Sequence, residues 1–318
     1  MRSMRTWLSA ALPLACAAAI AGCGSSNSSS TSAAAPAASS SSSSAGTSTA
    51  SSSSAAGADA TVVALVPGDI KSKGKLTVAA DASYAPNEFF APDGHTVIGM
   101  DADLSKALAA VMGLKANVVN ATFDGIIPGL AAGKYDMGAS SFTDTKAREK
   151  IVNFVDYFSA GTSFITKASG GPSVNGLADL CGKSVAVEKG TTQETDATAQ
   201  GAKCKKGGKP SVTVLTFPDQ NGANLALSSG RAQIVMADSP VAAYGVKKSN
   251  GQFKTVGATY GTAPYGLAVP KTGDLDKAVL AAMKVVMSNG TYSKIMAKWG
   301  LQSGAISPAD VKINGATS

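Results

Sequence analysis

In 318 residues, 28 Lys and Arg outweigh 21 Asp and Glu, for a formal net charge of +7. The excess is dispersed apart from one cluster, "KCKKGGK" at 203–209. No zinc-ligand spacing, RNA-binding motif or aromatic-studded basic stripe accompanies it, so nucleic acid is not an expected partner.

The chain opens with "MRSMRTWLSAALPLACAAAIAG" (1–22), which has two arginines, then an apolar run, then small residues. That is the order of a secretory signal, and the apolar run falls short of the ~20 residues that span a membrane. It closes on "IAGC", which resembles a bacterial lipobox with Cys23 as the lipidated residue. The rival, Cys16 in "PLAC", fits that pattern less well. Residues 24–58 are almost wholly Ser, Ala, Gly and Thr, without charge. Such a segment cannot offset its ordering entropy, and as a coil it spans roughly 30–35 Å. Residues 23–70 are therefore expected to form a lipidated, flexible tether.

About 250 residues remain, enough for a core and two lobes. Strand signals are "KLTVAA" (75–80), "ANVVNA" (116–121), "YDMGAS" (135–140), "KSVAVEKG" (183–190), "SVTVLTF" (211–217) and "RAQIVMAD" (231–238). Helical runs lie between them. "DADLSKALAAVMG" (101–113) puts Leu104, Leu108, Val111 and Met112 on one face and stops at Gly113. "FDGIIPGLAAG" (123–133) stops at Gly133. This alternation predicts an α/β fold with largely parallel sheets. There is also an internal echo: "GLAAGKYDMGASS" and "LALSSGRAQIVMADS" each run from an apolar helix end through a stop glycine and a basic residue into a strand. The echo puts Ser141 and Asp238 at equivalent places, where open α/β sheets bind ligands. Two facing lobes would set them on opposite walls of one cleft.

The chemistry read from the residues favours binding. His95, the one histidine, sits in the turn-like "APDGHTV" and has no nucleophile-elbow partner, because no G-x-S-x-G occurs. No G-x-G-x-x-G or Walker loop occurs either. With one histidine, and cysteines placed elsewhere, no metal site is expected, nor any cofactor. In an exported protein Cys181 and Cys204 suggest a disulfide; a metal or redox pair is the alternative. In "ASSFTDTKAREK" (139–150), Arg148 offers a planar fork for a carboxylate, Ser141 and Thr143 add hydroxyls, and helix-start amides near 143–146 would favour the same anion. Asp238 offers a charge for an ammonium. The competing readings are that Arg148 pairs with Glu149 or Asp144, and that Asp238 only caps a helix. In "EKGTTQET" (188–195), Thr191 and Glu194 have capping-box spacing, which holds Thr192 and Gln193 at a strand end.

Together "DASYAPNEF", "GMDADLSKALA", "FDGIIPGLAAGKYD", "SSFTDTKAREKIVNF", "GTTQET", "ALSSGRAQIVMADSPVAAY" and "NGTYSKIMAKWG" resemble the extracellular solute-binding proteins of family 3. "LCGK" with its later cysteine resembles actinobacterial versions. The resemblance implies a two-lobed periplasmic-binding-protein-like fold of type II, with two hinge segments and the ligand in the inter-lobe cleft. It implies a signal at 1–22, lobe 1 at 71–162 and 264–318, and lobe 2 at 163–263. Carried over by motif, Arg148, Ser141 and Thr143 would hold an α-carboxylate and Asp238 the α-ammonium. Thr191, Thr192 and Gln193 would contact the ligand from lobe 2. Tyr84 and Phe123 would line the side-chain pocket, and Asp81 would meet a polar or cationic side chain. Asn87 stands where an aromatic is common, which would open an apolar wall or add a polar contact. The implied function is the substrate-binding component of an ABC importer. It would be a lipid-anchored monomer on the outer face of the cytoplasmic membrane, delivering an amino acid to a permease. The alternatives are an enzyme like the cyclohexadienyl dehydratases, or a ligand-sensing receptor domain.

Overall fold

The computed structural model describes residues 57–317; the expected signal, Cys23 and most of the expected tether lie outside the described residues. In chain order these form α1 (Ala60–Leu65), α2 (Gly68–Lys73), β1 (Lys75–Ala80), β2 (Ser83–Tyr84), β3 (Glu88–Phe90), β4 (Val97–Ile98), α3 (Met100–Val111), β5 (Lys115–Asn120), α4 (Phe123–Ala131) and β6 (Met137–Gly138). There follow β7 (Val152–Lys167), β8 (Ser184–Glu188), α5 (Thr192–Lys206), β9 (Thr213–Phe217), α6 (Gln220–Ser229), β10 (Ile234–Asp238), α7 (Ser239–Lys248), β11 (Phe253–Pro270), α8 (Leu275–Ser288) and α9 (Thr291–Trp299).

One sheet runs through the protein in the order β5-β1-β6-β11-β7-β10-β8-β9. β1 pairs in parallel with β5 and β6, and β8 with β9 and β10. Within this sheet only the long strands β7 and β11 run antiparallel, to each other and to the strands beside them, while β2, β3 and β4 form a small antiparallel sheet of their own. The residue pattern explains the burial. Side chains alternate along a strand, so Val185, Val187, Ile234 and Met236 pack on one face, with Ala197 and Cys204 of α5. Ala186, Val235 and Ala237 pack on the other, with Ala223 and Leu227 of α6 and Val241 of α7. A parallel sheet is stable when both faces are covered in this way. In the other lobe the expected face of α3 is buried throughout: Leu104, Leu108, Val111 and Met112 join Leu76, Val78, Val279 and Met283.

β7 and β11 connect the lobes. At one end Ala268 pairs with Gly138, and at the other Ser163 pairs with Ala237. Their register shifts between Val256 and Tyr260 and again before Ala263. The expected lobe boundaries, 162/163 and 263/264, fall at this passage. Gly161 sits there with its α-carbon against β11; a Cβ would come within 2.6 Å of the Tyr260 carbonyl oxygen, so a side chain would force the strands apart.

Two expectations are corrected. Residues 60–70, expected in the tether, lie in α1 and α2, with Val62, Val66 and Ile70 buried in the lobe 1 core. The Asp59 side chain starts α1 by accepting from the amides of Thr61 and Val62. The strand expected at 135–140 shortens to Met137–Gly138. Asp136 turns its carboxylate to the Thr77 amide and Lys73, and Ser141 takes a left-handed φ of 51°, which ends the extended run.

Cys181 and Cys204 are joined by a disulfide, with α-carbons 5.6 Å apart, across 23 residues of sequence. It ties the segment before β8 to the last turn of α5. Closing a loop of that size stabilises by about 3 kcal/mol in the chain-entropy model. Replacing both cysteines by serine is expected to lower unfolding free energy by about that amount, read from urea midpoints. An unchanged midpoint would show that the bond adds nothing.

Candidate functional site

The C-terminal ends of β1, β6, β8 and β10 converge on one cavity between the lobes. All ten residues expected from the sequence line it: Asp81, Tyr84, Phe123, Ser141, Thr143, Arg148, Thr191, Thr192, Gln193 and Asp238. Three more do so that the sequence reading did not single out, Glu88, Ser140 and Glu188.

Arg148 opens a single 3-10 turn, Arg148–Lys150. Its guanidinium donates to the Thr143 carbonyl at 2.8 Å and, across the cleft, to the Gly190 carbonyl at 3.0 Å. The rings of Phe123 and Phe142, stacked 4.5 Å apart, lie 5.4 and 5.5 Å beneath it, a cation–π support. Among the described residues no carboxylate forms a salt bridge with it, and Glu149 pairs instead with Lys146. Burial lowers its pKa to about 10, opposed by the charges of Asp238 and Asp144, so it stays cationic at neutral pH. The helix start expected near 143–146 is absent. The Asp144 amide is bonded to the Pro264 carbonyl of β11, and the Thr143 carbonyl, not its hydroxyl, meets Arg148.

Ser141 is held from behind by a buried polar network. Its amide donates to Asp101 at 2.8 Å, its hydroxyl donates to Glu88 at 3.2 Å, and it accepts from the Asn87 amide group at 2.8 Å. Tyr157 donates to the other Asp101 oxygen at 2.7 Å, and Ser140 donates to Glu88 at 3.1 Å. Asn87 therefore lies behind the wall rather than on it, which corrects the expected opening of the pocket. Glu88 and Asp101 are both fully buried with no cation beside them. Burial and the Asp101 charge push Glu88 well above the usual carboxylate range. The protonated form of Glu88 is thereby favoured, next to an Asp101 whose oxygens already accept from Ser141 and Tyr157. The positive φ of Ser141, costly for a residue with a Cβ, is maintained by these bonds.

Asp238 ends β10 and occupies the cap position of α7, but its side chain makes no cap bond. It accepts instead from Gln193 at 2.7 Å and Tyr265 at 2.6 Å. Both of its oxygens accept, from donors that favour the charged form. Burial raises its pKa, and Tyr265, Tyr84, Gln193 and Arg148 oppose the rise. From lobe 1, Tyr84 accepts from the Asp238 amide at 3.0 Å. Gln193, also bonded to Thr162 at 2.9 Å, positions Asp238 rather than pointing freely into the cavity. Thr191 caps α5 by accepting from the Glu194 amide at 3.2 Å, and Glu194 reaches back to the Gly190 amide at 2.7 Å. The amides of Thr192 and Gln193 begin the helix, where backbone donors have no intrahelical partner.

Asp81 follows β1. It accepts from the Ser83 amide at 3.1 Å and the Phe123 amide at 3.0 Å. Burial nevertheless raises its pKa. Glu188 could have been found by the strand-end rule applied to β8, which ends on it. Glu88 lay within a quoted motif but carried no periodic signal. The site therefore has a guanidinium and helix-start amides at one end, carboxylates at the other, and contacts from both lobes.

A sequence profile of the Bacterial extracellular solute-binding proteins, family 3, matches residues 76–302. An arginine-binding protein of Corynebacterium glutamicum, ArgT, is 36% identical over 249 residues, covering 78% of this chain and 81% of its own. An ancestral arginine-binding protein bound to glutamine superposes with a TM-score of 0.66 at 36% identity, covering 72% of this chain and 99% of its own. The ancestral amino acid-binding protein AncCDT-1, described as a precursor of cyclohexadienyl dehydratase, gives 0.64 at 34% identity, covering 73% and 97%.

The Glu88–Asp101 pair makes stability depend on pH. Glu88 has a folded pKa above its ordinary 4.5, so its contribution is full below pH 4.5 and is lost as pH rises toward the folded value. Glu88→Gln keeps a donor to Asp101 and cannot ionise. Its stability relative to the unmodified protein is expected to grow from pH 5 to pH 8, read from urea midpoints. Parallel pH curves would contradict the shared proton.

Proposed function

Because the chain belongs to the bacterial extracellular solute-binding proteins of family 3, we propose that it binds a free L-amino acid between its lobes and delivers it to the permease of an ABC importer. The observation that carries this reading is the Arg148–Asp238 pair. A cation from lobe 1 and a carboxylate from lobe 2 line the same cavity, and neither meets an opposite charge in a salt bridge among the described residues. An α-amino acid carries the complementary charges on one carbon. Arg148 receives the α-carboxylate, with Ser141, Thr143 and the α5 amides beside it. Asp238 receives the α-ammonium. The relatives' names mention arginine and glutamine, so the ligand class is an amino acid with a polar side chain. The geometry supports binding rather than turnover.

Closure follows from the same arrangement. A ligand biases a two-state hinge only by the contacts it makes in one state and not in the other. The closed state adds its own: Arg148 to the Gly190 carbonyl, Lys189 to Asp124 at 2.7 Å, and the Gln220 amide to the Ser83 hydroxyl at 3.0 Å. The family is extracytoplasmic, and no described helix is long and apolar enough to cross a membrane. In our reading the signal at 1–22 is removed, a monomer is anchored to the outer face of the cytoplasmic membrane by lipid on Cys23, and the Ser/Ala-rich segment is its tether.

Truncating one partner of a buried charge pair costs about 2–5 kcal/mol. Arg148→Ala is expected to weaken the best amino acid at least ~30-fold by calorimetry, with an unchanged far-UV circular dichroism spectrum. Asp238→Asn is expected to lose less, since an amide oxygen remains. Unchanged affinity in Arg148→Ala would remove the guanidinium from the site. Separately, Cys23→Ser is expected to move the protein from the membrane to the soluble fraction; retention in the membrane would refute the anchor.

A further inference from the structure

Resting on the reading of the cavity as an amino-acid site, we infer that its ligand carries a cationic side chain, and that Glu188, facing Asp81 across the cleft, is the residue that selects it. Glu188 is the last residue of β8 and only 2% exposed. It lines the cavity, yet one of its carboxyl oxygens has no hydrogen-bond partner. A buried acceptor without a donor is destabilising, and more so when charged. Among the residues that line the cavity it is the one with a buried side-chain oxygen that no protein N–H or O–H reaches, so this oxygen marks where a donor from a ligand can be received.

The donor's charge follows from the neighbours. The groups facing Glu188 are Asp81 beyond β1, Asp219 at the cap of α6, Asp238 at the end of β10 and the Tyr84 phenol. Asp81 is close enough to share a proton with it. None of these can carry a positive charge. Lys189, the next residue, turns to Asp124, and Arg148 lies at the carboxylate end. In the cavity the ligand's carboxylate balances Arg148 and its ammonium balances Asp238. Asp81 and Glu188 are left over, two acids from opposite lobes with no positive charge between them. A guanidinium or a second ammonium donates to both and balances the pair. An amide side chain also donates, but leaves two carboxyl groups sharing one proton.

The proton bookkeeping supplies a second signature. Burial and the charges of Asp81, Asp219 and Asp238 hold Glu188 well above the usual carboxylate range. A cation between Glu188 and Asp81 favours ionisation, so its binding releases a proton; a neutral ligand has no such effect.

The test is calorimetry of the purified protein with L-arginine, L-lysine, L-glutamine and L-glutamate, in two buffers of different ionisation enthalpy. Arginine or lysine is expected to bind at least ~10-fold tighter than glutamine, with proton release. Glu188→Gln, which changes little in volume, should weaken the cationic ligand ~30-fold or more, narrow or reverse its advantage over glutamine, and reduce the release. Asp81→Asn should show the same preference shift, and serves where Glu188→Gln does not fold. Glutamine or glutamate binding tightest, or arginine unaffected by these variants, would overturn the inference while leaving an amino-acid receptor. Failure of every free amino acid to bind would overturn both.

Discussion

Charge held out of water is costly unless it is paired and hydrogen-bonded, and this cleft buries several acids against one arginine. Each is accommodated differently. Glu88 and Asp101 share a proton and take donors from Ser140, Ser141 and Tyr157. Asp238 accepts from Gln193 and Tyr265, which oppose the rise that burial imposes on its pKa. Arg148 has its donors partly met by carbonyls and its face met by aromatic rings. Glu188 has the least compensation, with one oxygen unpartnered, while Asp81 accepts from the Ser83 and Phe123 amides. The local geometry is thus ordered by how much unbalanced charge each lobe can tolerate before the other lobe, or a ligand, approaches.

The continuous sheet explains why that approach is directed. β7 and β11 belong to both lobes, and their pairing is irregular between Val256 and Ala263, opposite Gly161, and again between Tyr265 and Gly266. Lobe 1 adds β6 to this pair and lobe 2 adds β10. Ser141 follows β6 and Asp238 ends β10, so both walls of the site are built on strands that flank the long pair.

Local signals read well from the sequence. The α3 face was visible because its apolar residues recur at helical spacing. The echo was visible because Gly133 and Gly230 both take left-handed φ, at 71° and 79°, and such positions favour glycine. Strand ends located Ser141 and Asp238, and the family resemblance located Asp81. Less legible were residues whose role depends on a partner far away in sequence. Asn87 meets Ser141 54 residues on, and Gln193 meets Asp238 45 residues on. α1 and α2 were missed because a short apolar run follows directly on low-complexity chain, and its burial is decided by α8. Glu188 was passed over as part of a cap, although the cap itself was read rightly as Thr191 and Glu194.

Neither wall needs a ligand to give it shape. On lobe 1, the strained backbone of Ser141 is fixed by Asp101, Glu88 and Asn87, all of them buried. On lobe 2, the α5 cap and the Gln193–Thr162 bond fix the helix start and Asp238 in one arrangement. Ordering side chains on binding costs about 0.5–1.5 kcal/mol each, and here most of that ordering belongs to folding. Binding free energy is then available to bias the hinge. Two preformed walls, each carrying charge that the other only partly offsets, make closure depend on a molecule whose charges complete the balance.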